Sequence, residues 1–245
     1  MPNSSQCSSG ITSWLVGFYG AGSTSGFGNS HFEAAAVGKG VNHLYSHNSS
    51  ISAINDLFTA IDCNNDRQIT ENEIAGLTVK ICGYSWGGVG AIGMSQTLSS
   101  PGPIVVGGSP SHPITWNLHV PIPIKTVFVF DPVPILNPPG QVPDTVENFY
   151  NYYQDKGGDS IFRATGNYPD ELIGSPLSRL LKGTSVSVAP GVTDEQVNVT
   201  NDPSISRTGT PFLGSGNNNQ YSLSGPDTNH DGVPWLVTPE FNSKF

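Results

Sequence analysis

A strand-like run, Leu77–Gly83, passes through one short turn into a helix-like run, Gly88–Leu98, that carries no charge. No Asp, Glu, Lys or Arg occurs anywhere from Ile81 to Ile124. A helix without a charged face has no side suited to water, so this pair reads as the buried middle of a sheet covered on both faces. Further strands are expected at Thr12–Phe18, Val41–Tyr45, Lys125–Phe130 and Val146–Tyr153, all rich in β-branched and aromatic residues. Helices are expected at Ser30–Val37 and Ser50–Ile61, the latter with apolar residues at Ile51, Ile54, Leu57, Phe58 and Ile61. Strands alternating with helices predict an α/β fold with a mostly parallel central sheet flanked by helices. After residue 155 the pattern loosens into Gly, Pro, Ser and Asn, with a short strand candidate at Ser185–Val188. That region, 155–225, reads as a loop-rich cap or wall on a single domain spanning 1–245.

Composition narrows the function classes. Hydrophobic residues at 36% plus 29 glycines reach about 48% of the chain, the ordinary globular fraction. Ten basic against nineteen acidic residues give a net charge of −9, which disfavours nucleic acid and anionic membrane surfaces as partners. No apolar stretch is long enough to predict a membrane span. Residues 11–22 imitate a signal-peptide core, yet no basic residue precedes them, and they read as a buried strand followed by a glycine loop. Cys7, Cys63 and Cys82 allow at most one disulfide and show no metal-ligand spacing. Sequons at Asn3, Asn48 and Asn198 fit a secreted chain, but an Asn/Ser/Thr-rich composition produces such matches by chance. Compartment and oligomeric state stay open.

Gly83-Tyr84-Ser85-Trp86-Gly87 is a G-x-S-x-G placed between the strand and the helix just described. A sharp strand-to-helix turn with glycines two before and two after the serine lets the two elements approach closely and exposes the hydroxyl. The helix start then aims free N–H groups at a developing oxyanion. The plain alternative is a tight glycine turn with a buried serine. A serine nucleophile needs a base and an orienting carboxylate. In the order serine, acid, histidine, only His230 follows a suitable acid; His31, His43 and His47 precede Ser85, and His112 and His119 precede the acid. Asp131 closes the strand Lys125–Phe130, where open α/β sheets bind ligands, while Asp155, Asp170 and Asp194 are rivals in loops. The oxyanion donors are expected to be the N–H groups of Trp86 and Ala21, with Gly20 next.

The stretches KICGYSWGGVGAIGMSQTL, VFVFDPVP, ENFYNYYQ and NHDGVPW together resemble the lipase-like serine hydrolases of the α/β-hydrolase fold, over roughly residues 12–22 and 77–236. The resemblance implies Ser85 as nucleophile, Asp131 as triad acid and His230 as base, with Val233-Pro234-Trp235 in the histidine loop. The two strands that open the larger members are absent, a departure shared with the smallest lipases, so the expectation is a small member with long C-terminal loops. The chain departs from that pattern at Tyr19, where many lipases carry histidine, and in residues 62–73, an insertion ahead of the nucleophile strand.

That insertion matches a twelve-residue EF-hand loop. Asp62, Asn64, Asp66 and Thr70 fall at positions one, three, five and nine, the main-chain carbonyl of Gln68 at seven, and Glu73 at twelve. Arg67 stands where glycine is wanted, at a cost of about 1 kcal/mol for positive φ. No exiting helix is expected, because Ile74 and Ala75 run into Gly76 and a strand. An Asp/Asn-rich loop closed by its own Asx turns explains the same residues. If calcium binds, the ion is structural. A second acidic stretch, Asp227–Gly232, fails at positions eight and twelve, which are Pro234 and Thr238.

The expected function is hydrolysis of small-molecule or lipid-like carboxylic esters through a covalent acyl-enzyme, with no cofactor required for catalysis. The uncharged stretches 1–32 and 81–124, expected to wall the site, favour a neutral acyl substrate. Two alternatives differ in class or acceptor. One is a catalytically silent, calcium-stabilised binding protein on the same fold, which deep burial of Ser85 or a distant His230 would favour. The other is a peptidase or acyltransferase using the same triad.

Overall fold

The computed structural model describes residues 10–21, 27–134, 139–154, 182–200 and 233–245. Six parallel strands form the central sheet: β1 (Ser13–Phe18), β2 (His43–Tyr45), β4 (Thr78–Tyr84), β7 (Ile124–Phe130), β8 (Val146–Tyr153) and β9 (Thr193–Asn198). Their order is β2-β1-β4-β7-β8-β9, and every neighbouring pair runs parallel. Helices α1 (Phe27–Gly38), α2 (Ser50–Ile61) and α4 (Trp86–Leu98) make the long crossovers that parallel pairing requires. The molecule is an α/β protein.

Apolar side chains alternate between the two faces of this sheet. Val16, Phe18, Val79, Ile81, Val127, Val129 and Phe149 pack with the buried residues of α2 and α4 on one face. Cys82, Tyr84, Phe128, Phe130 and Tyr152 face Phe32, Ala35 and Ala36 of α1 on the other. Two C-terminal helices, α5 (Val233–Leu236) and α6 (Thr238–Lys244), complete that second layer through Val233, Val237 and Phe241. Burial on both faces explains why the strands read as near-continuous apolar runs rather than as alternating ones.

Three features depart from expectation. The uncharged stretch after α4 is a hairpin, β5 (Gly102–Ser109) and β6 (His112–Leu118), joined by a short strand β3 (Gln68–Ile69) into a second sheet. It packs on α2, where Trp116 meets Phe58 edge-on and its Nε1–H donates to Asn55 Oδ1 at 3.1 Å. Glycines and prolines within the hairpin hid its alternation. Secondly, β9 is an edge strand of half-exposed polar residues, so it lacks the apolar signature, whereas Ser185–Val188 forms only one bridge, Val142 to Val188. Thirdly, a one-turn helix α3 (Glu71–Ile74) follows residues 62–70, where no exiting helix was expected. Thr70 and Glu73 start it: the Glu73 carboxylate accepts the Thr70 N–H at 2.9 Å, in the manner of a capping box.

These connections fix two opposite ends of the sheet. A helix that links parallel strands begins at their carboxyl edge and finishes at their amino edge. Ser85 and Asp131 therefore lie at the carboxyl edge, as do residues 19–21. The 62–73 loop and the root of the β5–β6 hairpin lie at the amino edge. The hairpin part of 81–124 is consequently rooted away from Ser85, which corrects the expectation that the whole stretch walls the site.

Candidate active site at the carboxyl edge of the sheet

The strand order reverses at β1 and β4: the chain leaves β1 outward to β2 and returns past it to β4. Such a switch point opens a crevice beyond the strand ends, and both Tyr19–Ala21 and Ser85 sit there. Ser85 has φ 58° and ψ −124°, between the last residue of β4 and the first of α4. A non-glycine residue in that conformation costs about 1–3 kcal/mol and persists only where its surroundings dictate it. Two glycines are what make the turn possible. A Cβ on Gly83 would stand 2.2 Å from the Gly87 carbonyl oxygen, and one on Gly87 would stand 2.1 Å from the Phe18 carbonyl oxygen. Strand, helix and β1 thus meet backbone to backbone around the serine.

The β1 loop closes in from one side. Gly20 lies so near that a Cβ there would stand 2.9 Å from Cβ of Ser85. Its N–H is already committed, donating to Oδ1 of the buried Asn29 at 2.7 Å, and the Tyr19 N–H donates to the Tyr45 carbonyl at 2.9 Å. Of the two donors expected in this loop, Gly20 is therefore occupied by Asn29. Asn29, which pins the loop, carries no sequence signal beyond its place in the first turn of a helix. The Tyr19 phenol is pushed up to about 12, first by burial and then by the hydrogen-bonded Glu33 carboxylate, so it stays protonated at neutral pH.

Asp131 approaches from the opposite side. It closes β7 at φ 50° and is 0% exposed. The two turns are bonded together: the Ser85 N–H donates to the Phe130 carbonyl at 2.9 Å, and the Val133 N–H to the Ser85 carbonyl at 3.3 Å. Both oxygens of Asp131 are held by Gln154 at the end of β8. Oδ1 accepts the Gln154 N–H at 2.9 Å, and Oδ2 accepts from its Nε2 at 2.8 Å. Sequence reasoning passed over Gln154, although it ends the NYYQ segment.

The rival acids separate by position. Asp194 is the second residue of β9, near the amino edge, and accepts a hydrogen bond from Gln196. Asp155 and Asp170 lie outside the described residues, and so does His230. Val233-Pro234-Trp235, expected in a histidine loop, instead belongs to helix α5, since proline is well placed in a first helical turn.

No family model, curated protein or solved structure gives a match to this chain.

Other histidines occupy structural places. His43 stacks on Trp14 with ring centroids 3.7 Å apart, and His119 shares Gln68 Oε1 with Asn117 beside the second sheet. His112 is exposed at the hairpin turn. His47, after β2, meets the Trp86 ring edge-on at 5.1 Å, and burial holds its pKa below the usual histidine value. Cys82 is a free, buried thiol whose pKa burial pushes up, while Cys63 is disulfide-bonded.

Proposed function

We propose that the chain is a serine hydrolase of the α/β-hydrolase type acting on carboxylic esters. One observation carries the reading: Ser85 is held in a strained left-handed turn between the central strand and a helix N-terminus, with glycines two residues to either side in backbone contact. A turn whose only purpose was to reverse the chain would place glycine at the strained position itself.

In this reading the Ser85 hydroxyl attacks the acyl carbon while His230 takes its proton, then returns that proton to the leaving alcohol. Asp131 fixes the imidazole tautomer and stabilises its cation, and Gln154 keeps the carboxylate in place. The N–H groups of Trp86 and Ala21 receive the oxyanion, each worth about 3–4 kcal/mol in the transition state. Water then releases the acyl group along the same path in reverse. No metal or organic cofactor enters this sequence of steps. The disulfide at Cys63 suits an oxidising compartment.

The catalytically silent binding protein is favoured by one observation: Ser85 is only 3% exposed. Intact-mass spectrometry after treatment with a fluorophosphonate separates the two readings. A single adduct on the native chain and none on Ser85→Ala supports the hydrolase; an unmodified native chain, with and without calcium, leaves the binding protein in possession. An ester panel, an amide panel and product analysis with added alcohol then distinguish esterase, peptidase and acyltransferase.

A further inference from the structure

We propose that residues 62–73 hold a calcium ion, with oxygen ligands from Asp62, Asn64, Asp66, the Gln68 main-chain carbonyl, Thr70 and Glu73. Carboxylate oxygens of Asp62, Asp66 and Glu73 lie within 4.8 Å of one another. Asp62 is 6% exposed and Glu73 3% exposed, and neither joins an ion pair among the described residues. The Asp62 carboxylate supplies the independent sign of a ligand. Its Oδ2 accepts the Arg67 N–H at 3.0 Å, but its Oδ1 is buried with no hydrogen-bond partner. Like charges brought together, one of them with an unsatisfied buried oxygen, need a cation to balance them.

The loop is already shaped around that space. Asn64 Oδ1 accepts the Asp66 N–H at 2.9 Å, and Asp66 Oδ1 accepts the Gln68 N–H at 2.8 Å. Arg67, at position six, takes φ 59°, the left-handed conformation for which glycine is the usual residue there. Along β3 the carbonyls of Arg67 and Ile69 accept from Asn117 and His119 of the second sheet. The Gln68 carbonyl, one residue out of phase, points away from β6 and is left for position seven. A capping box with Thr70 accounts for one oxygen of Glu73 and for nothing at Asp62. An all-oxygen set of six protein donors suits calcium over magnesium, which demands near-ideal octahedral geometry and usually keeps several waters.

The ion would tie the end of α2 to β3 and α3, just before the nucleophile strand and at the sheet edge opposite Ser85. Its role is structural, and the proposal stands or falls independently of the hydrolase reading.

The test uses the full chain, stripped with chelator and titrated calorimetrically with calcium chloride and, separately, magnesium chloride, alongside thermal denaturation. One calcium per chain and a calcium-dependent rise in Tm are expected. Both should be lost in Glu73→Gln, which keeps the capping pair because glutamine serves equally at that position, and in Asp66→Ala, which removes the position-five oxygen on the exposed side of the loop. Asp144→Asn, elsewhere on the surface, should bind as the native chain does. A native chain with neither heat nor Tm shift in millimolar calcium overturns the proposal. So does binding that survives in both loop variants, or a response to magnesium alone.

Discussion

Gly183 lies against the carboxylate of Asp131 so closely that a Cβ at residue 183 would stand 1.7 Å from Oδ1. The same glycine donates its N–H to the Gln154 carbonyl at 2.9 Å, so the segment that covers the acid is bonded to the residue that orients it. Gly183→Ala should therefore displace the Asp131 carboxylate without removing it. A shift of about 1 Å in a triad member costs roughly a hundredfold in kcat. The expected result is a folded chain by circular dichroism with ester hydrolysis down by that factor. Gly93→Ala, where a Cβ meets nothing within 4 Å, should leave kcat alone and add about 0.5–1 kcal/mol of helix stability. Equal activity in the two variants would remove Asp131 from the reaction.

Alkaline stability follows from two buried phenols and one half-buried one. Burial raises Tyr19 and Tyr152 to about 12 and Tyr45 further; Glu33, Glu195 and Asp56 add to the rise, and Lys244 opposes it at Tyr152. A group whose folded pKa exceeds its unfolded value of 10.0 contributes stability that is complete below pH 10 and lost as pH climbs through the folded pKa. The raised pKa of Lys244, which pairs with Glu195 and donates to the Tyr152 hydroxyl at 2.6 Å, acts with the same sign. Denaturant midpoints should thus stay level up to about pH 10 and fall steeply between 10 and 12. The fall should be shallower in Tyr152→Phe. A flat profile across that range would mean that these phenols ionise as freely folded as unfolded.

Strand–helix alternation was legible because parallel strands buried on both faces leave unbroken apolar runs, and β8 and α2 match their expected limits at both ends. The Gly83-to-Gly87 turn was legible because its glycines answer a contact between backbones, which leaves no choice of residue. The partners of the site were less visible. Gln154, Asn29 and Gly183 act through their position in space, on a neighbouring strand, a following helix and a distant segment, and nothing in their local sequence marks that. The β5–β6 hairpin escaped for a different reason: its alternation is broken by glycine and proline, and a register shift lies between Val105 and Gly107.

Two histidines can be told apart by substitution. His47 touches the ring of Trp86, the residue after Ser85, which gives it a structural route to influence the site. Chain order assigns the base to His230 instead. His230→Ala should lower kcat by about 10³-fold or more, as loss of a triad base does, whereas His47→Ala should stay within about tenfold of native. Its effect should fall on KM, through the altered Trp86 packing. The reverse ranking, measured at saturating ester, would move the base to His47, after β2.

Strain at Ser85 predicts a trade between stability and activity. At φ 58° and ψ −124° any side chain carrying Cβ is strained, and glycine is not. Ser85→Ala removes the hydroxyl and keeps the strain; Ser85→Gly removes both. The difference between these two inactive variants therefore reports the strain relieved, less about 0.5–1 kcal/mol of extra unfolded-chain entropy that glycine carries. A relief of about 2 kcal/mol, the middle of the range for such conformations, leaves a net gain of about 1 kcal/mol. In a chain of this size that raises Tm by about 2–4 °C. The comparison is made by calorimetry at equal pH and calcium concentration, with both variants unreactive toward fluorophosphonate. If Ser85→Gly melts at or below Ser85→Ala, the strain is no larger than glycine's entropy cost, and the structural argument for a nucleophile at this position fails with it.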